Sequence, residues 1–131
     1  MPGWPRASGT RTKEPSNTVL DPAIIEELGR IPVSDEHTLL HELADRFLEQ
    51  MPEWIDELRS LAEKGESQLA KRQAHKLLGV CRQIGAQRMA LLCDELESDW
   101  ADEGGDEVMQ IIALLANEFE ITRRELSKQC L

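Results

Sequence analysis

Apolar residues recur along most of the chain at steps of three and four, the spacing that places side chains on one face of a helix. The longest stripe runs from Leu39 to Leu61 and predicts one long amphipathic helix. Pro52 falls inside it and is expected to bend or split the helix, because proline lacks a backbone donor and crowds the preceding turn. The residues predicted to face inward are Leu39, Leu40, Leu43, Phe47, Met51, Trp54, Leu58 and Leu61.

Capping residues indicate where the first two helices begin. Asp21 precedes Pro22, which combines an N-cap carboxylate with a proline at the first helical position, and Gly29 closes this short helix. A second start signal stands at Ser34, where two acids follow and complement the helix dipole. The chain therefore predicts a short first helix and a long second helix that begins near Ser34.

Three further helices are predicted after Gly65. The first opens at Glu66 and ends at Gly85, the second runs from about Ala86 to the glycine pair at 104–105, and the third covers residues 108–126. Their inward residues are predicted to be Ala70, Ala74, Leu77, Cys81 and Ile84, then Met89, Leu92, Leu96 and Trp100, then Val108, Ile111, Ile112, Leu115, Phe119, Ile121 and Leu126. No convincing strand or repeat is present. The fold class is therefore predicted to be all-α, an antiparallel four-helix bundle with a short additional N-terminal helix.

Composition indicates one domain and limits its partners. The chain has 131 residues, 40% apolar and 4% aromatic, so an aliphatic core typical of helical bundles is expected over residues 19–131. Residues 1–18 are rich in Pro, Gly, Ser, Thr and Arg and predict a disordered leader or linker. The net charge of −10 disfavours nucleic acid and anionic membranes, and no apolar run is long enough for membrane insertion. Three cysteines without a CxxC pair indicate reduced thiols and a cytoplasmic protein.

The helix that opens at Glu66 differs in charge from the rest of the chain. Five basic residues and one acid lie between Glu66 and Arg88, whereas eight acids and no base lie between Asp94 and Glu107. The basic residues are Lys71, Arg72, Lys76, Arg82 and Arg88. Charge on solvated helix faces varies by chance, but a basic helix in an acidic chain also suits an anionic or acidic partner.

One histidine lies on the outward face of this basic helix. If Ala74 and Leu77 face the core, His75 is turned about 100° away from it. Arg72, Leu78, Gly79 and Arg82 are predicted to share its outward face. Gly79 is unusual there, because a glycine inside a helix costs about 1 kcal/mol relative to alanine. Bare backbone one turn from an exposed imidazole gives the clearance that a bulky partner needs to approach the ring.

The segment AHKLLGVCRQIGA, residues 74–86, resembles the signature of histidine-phosphotransfer (Hpt) domains. That signature has a histidine, a leucine at +2, a glycine at +4, and Gly-Ala at +10 and +11. These are His75, Leu77, Gly79, Gly85 and Ala86 here. The segment FLEQMPEWIDELRSLAEKGE, residues 47–66, also resembles the preceding helix of the family, and the whole resemblance covers about residues 20–127.

The resemblance implies a function and a set of partners. His75 would relay a phosphoryl group between receiver-domain aspartates in a two-component phosphorelay, with response-regulator receiver domains and a hybrid sensor histidine kinase as partners. The receiver would supply Mg²⁺, so this phosphocarrier would need no cofactor of its own. We expect a monomer, and the absence of a kinase motif predicts no autokinase activity. An exposed imidazole is mostly neutral near pH 7.5 and needs no base to act as a nucleophile.

The surroundings of His75 depart from the family pattern in two places, at +3 and after the glycine, where Val80 and Cys81 replace the usual small polar residues. The family usually has a lysine at +3, where this chain has Leu78, and Lys76 stands at +1 instead. Gln83 matches an amide that members often place near +8. Arg72, Lys76 and Arg82 are candidates for the phosphate environment. Leu78, Gly79 and Gln83 are candidates for docking.

Three other interpretations remain open on the sequence. His75 could be an ordinary surface histidine, or the chain could be a pseudo-Hpt adaptor that docks receivers or kinases without carrying phosphate. The spacing of His37, His41 and Asp45 along one helix could hold zinc, although such histidines are more often solvated. The predicted metal content is therefore none.

Overall fold

A computed structural model describes residues 18–99 and 105–130, which form five helices. They are α1 (Pro22–Gly29), α2 (Leu39–Glu63), α3 (Ser67–Ile84), α4 (Gln87–Asp99) and α5 (Gly105–Cys130). Each of the four long helices packs against two others, in the cyclic order α2, α3, α4, α5, and α1 lies on α2 and α3. The predicted all-α fold, a four-helix bundle with a short N-terminal helix, is confirmed.

Residues 1–17 of the predicted leader, and Trp100, lie outside the described residues. Within the described ranges, regular strands are absent, and Pro32 and Thr38 form an isolated β-bridge. No helix in these ranges combines the length and the apolar character that crossing a membrane requires.

Two predicted helix boundaries are confirmed by their capping geometry. The Asp21 side chain accepts a hydrogen bond from the backbone N–H of Ala23, and Pro22 occupies the first turn. At the end of α3, Gly85 has φ +81°, the left-handed conformation that glycine adopts without steric cost. The N–H of Ala86 then donates to the carbonyl of Cys81 at 2.8 Å, which satisfies an orphan acceptor of the last turn.

The predicted start of α2 at Ser34 is wrong, because the chain turns back before the helix begins. The N–H groups of Val33 and Ser34 both donate to the carbonyl of His37, which holds residues 33–37 in a turn. Thr38 is the N-cap instead, and its hydroxyl accepts from the N–H of His41 at 3.4 Å. The Thr38 hydroxyl caps the helix directly before Leu39, so α2 begins there and not at the acidic residues further upstream.

Pro52 does not split the long helix, since α2 continues from Leu39 to Glu63 with the proline on its exposed side. Gln73 on α3 links the two helices by hydrogen bonds. Its side-chain Nε2 donates to the Trp54 carbonyl at 3.1 Å and to Glu57 Oε1 at 3.4 Å. The predicted core position of Trp54 is only partly correct, because its side chain is half-buried.

The core lies between the four long helices, and α3 contributes a wide face to it. Seven of its eighteen residues are buried, namely Ala70, Gln73, Ala74, Leu77, Leu78, Cys81 and Ile84. They follow the spacing i, i+3, i+4, i+7 and i+8, which covers a broader arc than the five-residue stripe read from the sequence. Contact with α2 on one side and α4 on the other accounts for this width.

The short helix α1 is fastened to the end of α3. The backbone N–H of Asp21 donates to the Gly85 carbonyl at 2.8 Å. A Cβ atom at position 85 would lie 3.2 Å from two carbon atoms of Ile24, so glycine is needed here for close approach as well as for its φ angle. The Gln87 side chain also donates to the Thr18 carbonyl at 3.2 Å.

Candidate functional site

His75 stands in the middle of α3 with its imidazole in solvent. Its side chain is 72% exposed, while Ala74 and Leu77 on either side are fully buried. The helix is held in this rotation by the packing of those two residues against the core. The predicted outward orientation of His75 is therefore confirmed.

The imidazole makes a specific contact across the seam between α3 and α4. Nδ1 of His75 lies 2.8 Å from Oε2 of Glu97, whose side chain is 31% exposed. An ionised carboxylate can only accept hydrogen bonds, so the proton of this contact belongs to Nδ1. In the neutral ring Nε2 then carries the free lone pair, which makes it the nucleophilic nitrogen.

Glu97 is a site residue that the sequence patterns do not single out. It stands among the acids that follow Asp94, and its charge resembles that of its neighbours. Its position around the helix is nevertheless informative, because Glu97 comes directly after the buried Leu96, just as His75 comes directly after the buried Ala74. Two boundary positions on adjacent antiparallel helices can face each other across the seam between them.

Gly79 leaves open space one turn beyond His75. The residue is exposed, and a Cβ atom added to it would have no contact within 4 Å. Its φ angle is not positive, so neither backbone conformation nor internal packing requires a glycine. The cost of about 1 kcal/mol relative to alanine therefore has no benefit inside the fold.

Leu78 is buried, which contradicts its predicted place on the outward face. Only 4% of its surface is exposed, and it belongs to the hydrophobic core. Its position, three residues beyond His75, turns it toward α4, whose packing on α3 covers it. Leu78 is thus a core residue and contributes no apolar patch to a docking surface.

Lys76 lies on the other flank of α3. Its Nζ stands 4.4 Å from the centroid of the Trp54 ring on α2, a cation–π contact. His75 contacts α4, so the ammonium group and the imidazole lean to opposite sides of the helix. Lys76 therefore does not take the place of the lysine that the family usually has at the position of Leu78.

Comparison with known proteins agrees with this arrangement. The family model described as Hpt domain matches residues 42–125, more than half of the chain. The chain belongs to the Hpt domain family. Hpt domains are phosphotransfer modules of two-component signalling that interact with receiver domains and kinases, and they are phosphocarriers rather than classical enzymes. Neither the search of characterised proteins nor that of solved structures gave a significant match.

Two arginines of this Hpt domain remain available on the histidine face. Arg72 and Arg82 are both exposed, and neither forms an ion pair with a described residue. Arg88 differs, because its Nε lies 3.0 Å from Oε2 of the buried Glu118 on α5. Gln83 is exposed two turns beyond His75 and makes no hydrogen bond to the described part of the chain. Of the five predicted cations, Arg72 and Arg82 are thus exposed and unpaired within the described chain, Lys71 is half-buried, Lys76 contacts Trp54 and Arg88 pairs with Glu118.

The described part of the Hpt domain contains no cluster of three potential metal ligands. The rings of His37 and His41 are stacked with centroids 4.2 Å apart, and His41 Nε2 lies 3.8 Å from Asp45 Oδ2. Stacked rings do not point their nitrogens at a common centre. The alternative interpretation of these residues as a zinc site is therefore not supported.

Two thiols face each other between α3 and α4. Cys81 on α3 and Cys93 on α4 are both fully buried and free. A hydrogen bond to Cys93, burial and the charge of Cys93 together raise the pKa of the Cys81 thiol well above its usual range. Cys81 is therefore a neutral core residue and takes no part in nucleophilic chemistry.

Proposed function

We propose that this Hpt domain relays a phosphoryl group between receiver-domain aspartates through Nε2 of His75. The observation that carries the proposal is the hydrogen bond from Nδ1 to Glu97, which leaves the opposite nitrogen free on an exposed helix face. The remaining surface features of α3 are consistent with the same role.

Phosphoryl uptake requires no proton transfer by the domain. The Nε2 lone pair attacks the phosphorus of an aspartyl phosphate, the P–O bond to aspartate breaks, and its electron pair leaves with the carboxylate. The proton on Nδ1 stays in place. Transfer to a second receiver is the reverse process, in which an aspartate oxygen attacks and Nε2 leaves with the electron pair.

Glu97 acts as a positioning residue that also balances charge. Attack by a neutral imidazole leaves a formal positive charge on the phosphorylated ring, and the Glu97 carboxylate 2.8 Å away opposes that charge. The contact also limits rotation of the ring and keeps Nε2 directed away from α4. Both effects favour reaction at one nitrogen.

The phosphoryl oxygens meet positive charge from two directions. Arg72 and Arg82 on the same face attract an anionic donor and partly neutralise the phosphoryl group once it is bound. Mg²⁺ and the acceptor carboxylate belong to the receiver, so His75 needs no metal or nucleotide of its own. Gly79 allows the receiver backbone to approach within reach of Nε2.

A labelling experiment tests the proposal with the chain's own histidines as controls. Incubation with a phosphorylated receiver should label the wild-type protein and two control variants, His37→Gln at an exposed position and His41→Gln at a half-buried one. The variant His75→Gln should take no label, and ATP alone should label none of these proteins. The bound phosphate should be lost in acid and retained in alkali, as expected for phosphohistidine. Labelling of His75→Gln would disprove the assignment.

The same experiment distinguishes the relay from an adaptor. The absence of a lysine at position 78 favours a pseudo-Hpt adaptor as the second candidate function. An adaptor would bind the receiver with unchanged affinity in the wild type and in His75→Gln, and neither protein would become labelled. Acid-labile label on the wild type therefore excludes the adaptor.

A further inference from the structure

The outward face of α5 differs sharply in charge from that of α2. Between Glu107 and Glu120 no exposed residue of α5 is charged. Glu118 lies within this stretch, but it is buried and its carboxylate is paired with Arg88. On α2, by contrast, every exposed residue except Pro52 is charged. The middle of α5 therefore presents about three turns of uncharged surface in a strongly acidic protein.

We call this surface and its two charged ends the α5 face. Its residues lie within an arc of about 100° on the side of the helix that is turned away from the core. They are Asp106, Gln110, Ala113, Leu114, Asn117, Ile121 and Arg124, all exposed except the half-buried Ile121. Leu114 lies in the middle and is 54% exposed, more than the other exposed large apolar side chains of the described residues. Depletion of charge around an apolar centre is the composition of an interface core.

Opposite charges mark the two ends of the α5 face at equal distances from its centre. Asp106 and Arg124 stand about 13.5 Å before and after the level of Leu115 along the helix. They are separated by about five full turns, so their side chains lie on the same line along α5. Both are exposed, and neither forms an ion pair with a described residue. A two-fold axis at the level of Leu115 therefore places Asp106 of each copy opposite Arg124 of the other.

We infer that the α5 face binds the α5 face of a second copy of this chain and forms an antiparallel two-fold dimer. Charge selects this face, because each copy carries a net charge of −10 and contact through α2 would bring two acidic surfaces together. Contact through α5 joins uncharged surfaces instead. Leu114 of each copy lies beside the axis and packs against its counterpart, and two Asp106–Arg124 pairs close the ends.

The size of the α5 face predicts a weak dimer. The helix has 26 residues and is therefore about 39 Å long. At a width of about 10–12 Å it covers on the order of 400 Å² per copy, half of the area of a standard interface. We expect a Kd on the order of 100 µM, so the monomer expected from the sequence is in equilibrium with the dimer. Because α3 lies diagonally opposite α5 in the bundle, His75 of both copies faces away from the contact and stays accessible.

Sedimentation of the full chain between about 10 µM and about 1 mM measures the association directly. Leu114→Asp places two like charges beside the axis and should raise Kd at least about tenfold. Its matched control is Leu69→Asp on α3, because Leu69 is 44% exposed and lies outside the α5 face. The control should keep Kd within about twofold of the wild type. Both positions are exposed, so neither substitution threatens the fold, and circular dichroism verifies this.

A charge exchange tests the antiparallel register. In Asp106→Arg and in Arg124→Asp, like charges meet at both ends of the homodimer, so each variant alone should associate at least about tenfold more weakly. In an equimolar mixture, each end of the mixed dimer pairs an arginine with an aspartate, and association should return to the wild-type level. Arg46→Asp at an exposed position of α2 changes the net charge as Arg124→Asp does and should leave Kd within about twofold.

Three results would overturn the inference. A wild type that stays monomeric at about 1 mM would leave the α5 face to a different molecule. Association of Leu114→Asp at the wild-type Kd would mean that the dimer uses another surface. A mixture of Asp106→Arg and Arg124→Asp that stays monomeric would exclude the antiparallel register. The variant His75→Gln should dimerise as the wild type does, so the result is independent of phosphoryl transfer and of the proposed function.

Discussion

The imidazole of His75 and the carboxylate of Glu97 meet across the seam between α3 and α4, with Nδ1 and Oε2 2.8 Å apart. The residues are 22 positions apart in the sequence, and the tight connection at Gly85 brings their helices side by side. The pair fixes the proton on one nitrogen and leaves the other nitrogen for chemistry. The reactive atom is thus selected by a residue of the neighbouring helix.

Removal of the carboxylate should slow transfer without preventing binding. In Glu97→Ala the ring is free to rotate and loses the charge opposite the phosphorylated imidazole. We expect the rate of transfer from a phosphorylated receiver to fall about 10- to 100-fold, by analogy with metal-bound histidines that lose the carboxylate orienting their second nitrogen. Nitrogen chemical shifts should show a mixture of the two neutral tautomers of His75. Glu120→Ala on α5 is the control, and an unchanged rate in Glu97→Ala would contradict the role of the pair.

Substitution of Gly79 should raise stability while it lowers transfer. Because a Cβ atom there meets no neighbour within 4 Å, Gly79→Ala and Gly79→Gln should each gain about 0.5–1 kcal/mol in the free energy of unfolding. The longer glutamine side chain should also obstruct the receiver and raise its KM. Urea unfolding and transfer kinetics on the same two variants measure both effects. Transfer by Gly79→Gln at the wild-type KM would show that clearance is not its function.

A lysine introduced at position 78 should destabilise the bundle and not restore a family feature. Leu78 is 4% exposed, so Leu78→Lys removes an apolar side chain from the core and brings a charge toward it. We expect a loss of about 2–4 kcal/mol in the free energy of unfolding. Leu69→Lys is the matched control, because Leu69 lies on the same helix and is 44% exposed, and its change should stay within about 0.5 kcal/mol. Equal stability of the two variants would place Leu78 at the surface.

The buried Cys81 thiol should make stability depend on pH above neutrality. Its pKa is raised in the folded protein, so its contribution is complete below the pKa of an unfolded thiol, about 8.5. Above that pH the unfolded chain loses the proton and the folded protein keeps it, so the free energy of unfolding falls by about 1.4 kcal/mol per pH unit. Urea unfolding of wild type and Cys81→Ala between pH 8 and 10 measures the difference. Parallel curves for the two proteins would contradict this expectation.

Local signals in the sequence predict the elements of this fold well. Asp21 with Pro22 marks the start of α1, and Gly85 marks the end of α3, because capping depends on a few adjacent residues. The start signal at Ser34 misplaces the beginning of α2, because a turn held by the His37 carbonyl competes with the helix over residues 33–37. Helix propensity alone does not decide whether such a segment forms a turn or the first turn of a helix.

The site is predicted less completely, because part of it depends on neighbouring helices. Helical phase exposes His75 correctly, since the core residues around it are strongly apolar. The burial of Leu78 depends on how closely α4 packs, which the periodicity of α3 does not encode. The contact of Glu97 with His75 depends on which two helices adjoin and in which register, and the sequence pattern of one helix does not contain this information. Lys76 and Trp54 likewise pair across helices.

The attachment of α1 sets a practical limit for anyone who excises this domain. The family match begins at residue 42, yet the Asp21 N–H donates to the Gly85 carbonyl at the end of the histidine helix, and Ile25 of α1 and Leu40 of α2 are both buried. A recombinant fragment cut to the matched residues would expose apolar surface and lose the attachment of α1 to the end of α3. The smallest unit fit for transplantation into a chimeric signalling protein therefore includes α1 and its N-cap Asp21, well upstream of the match.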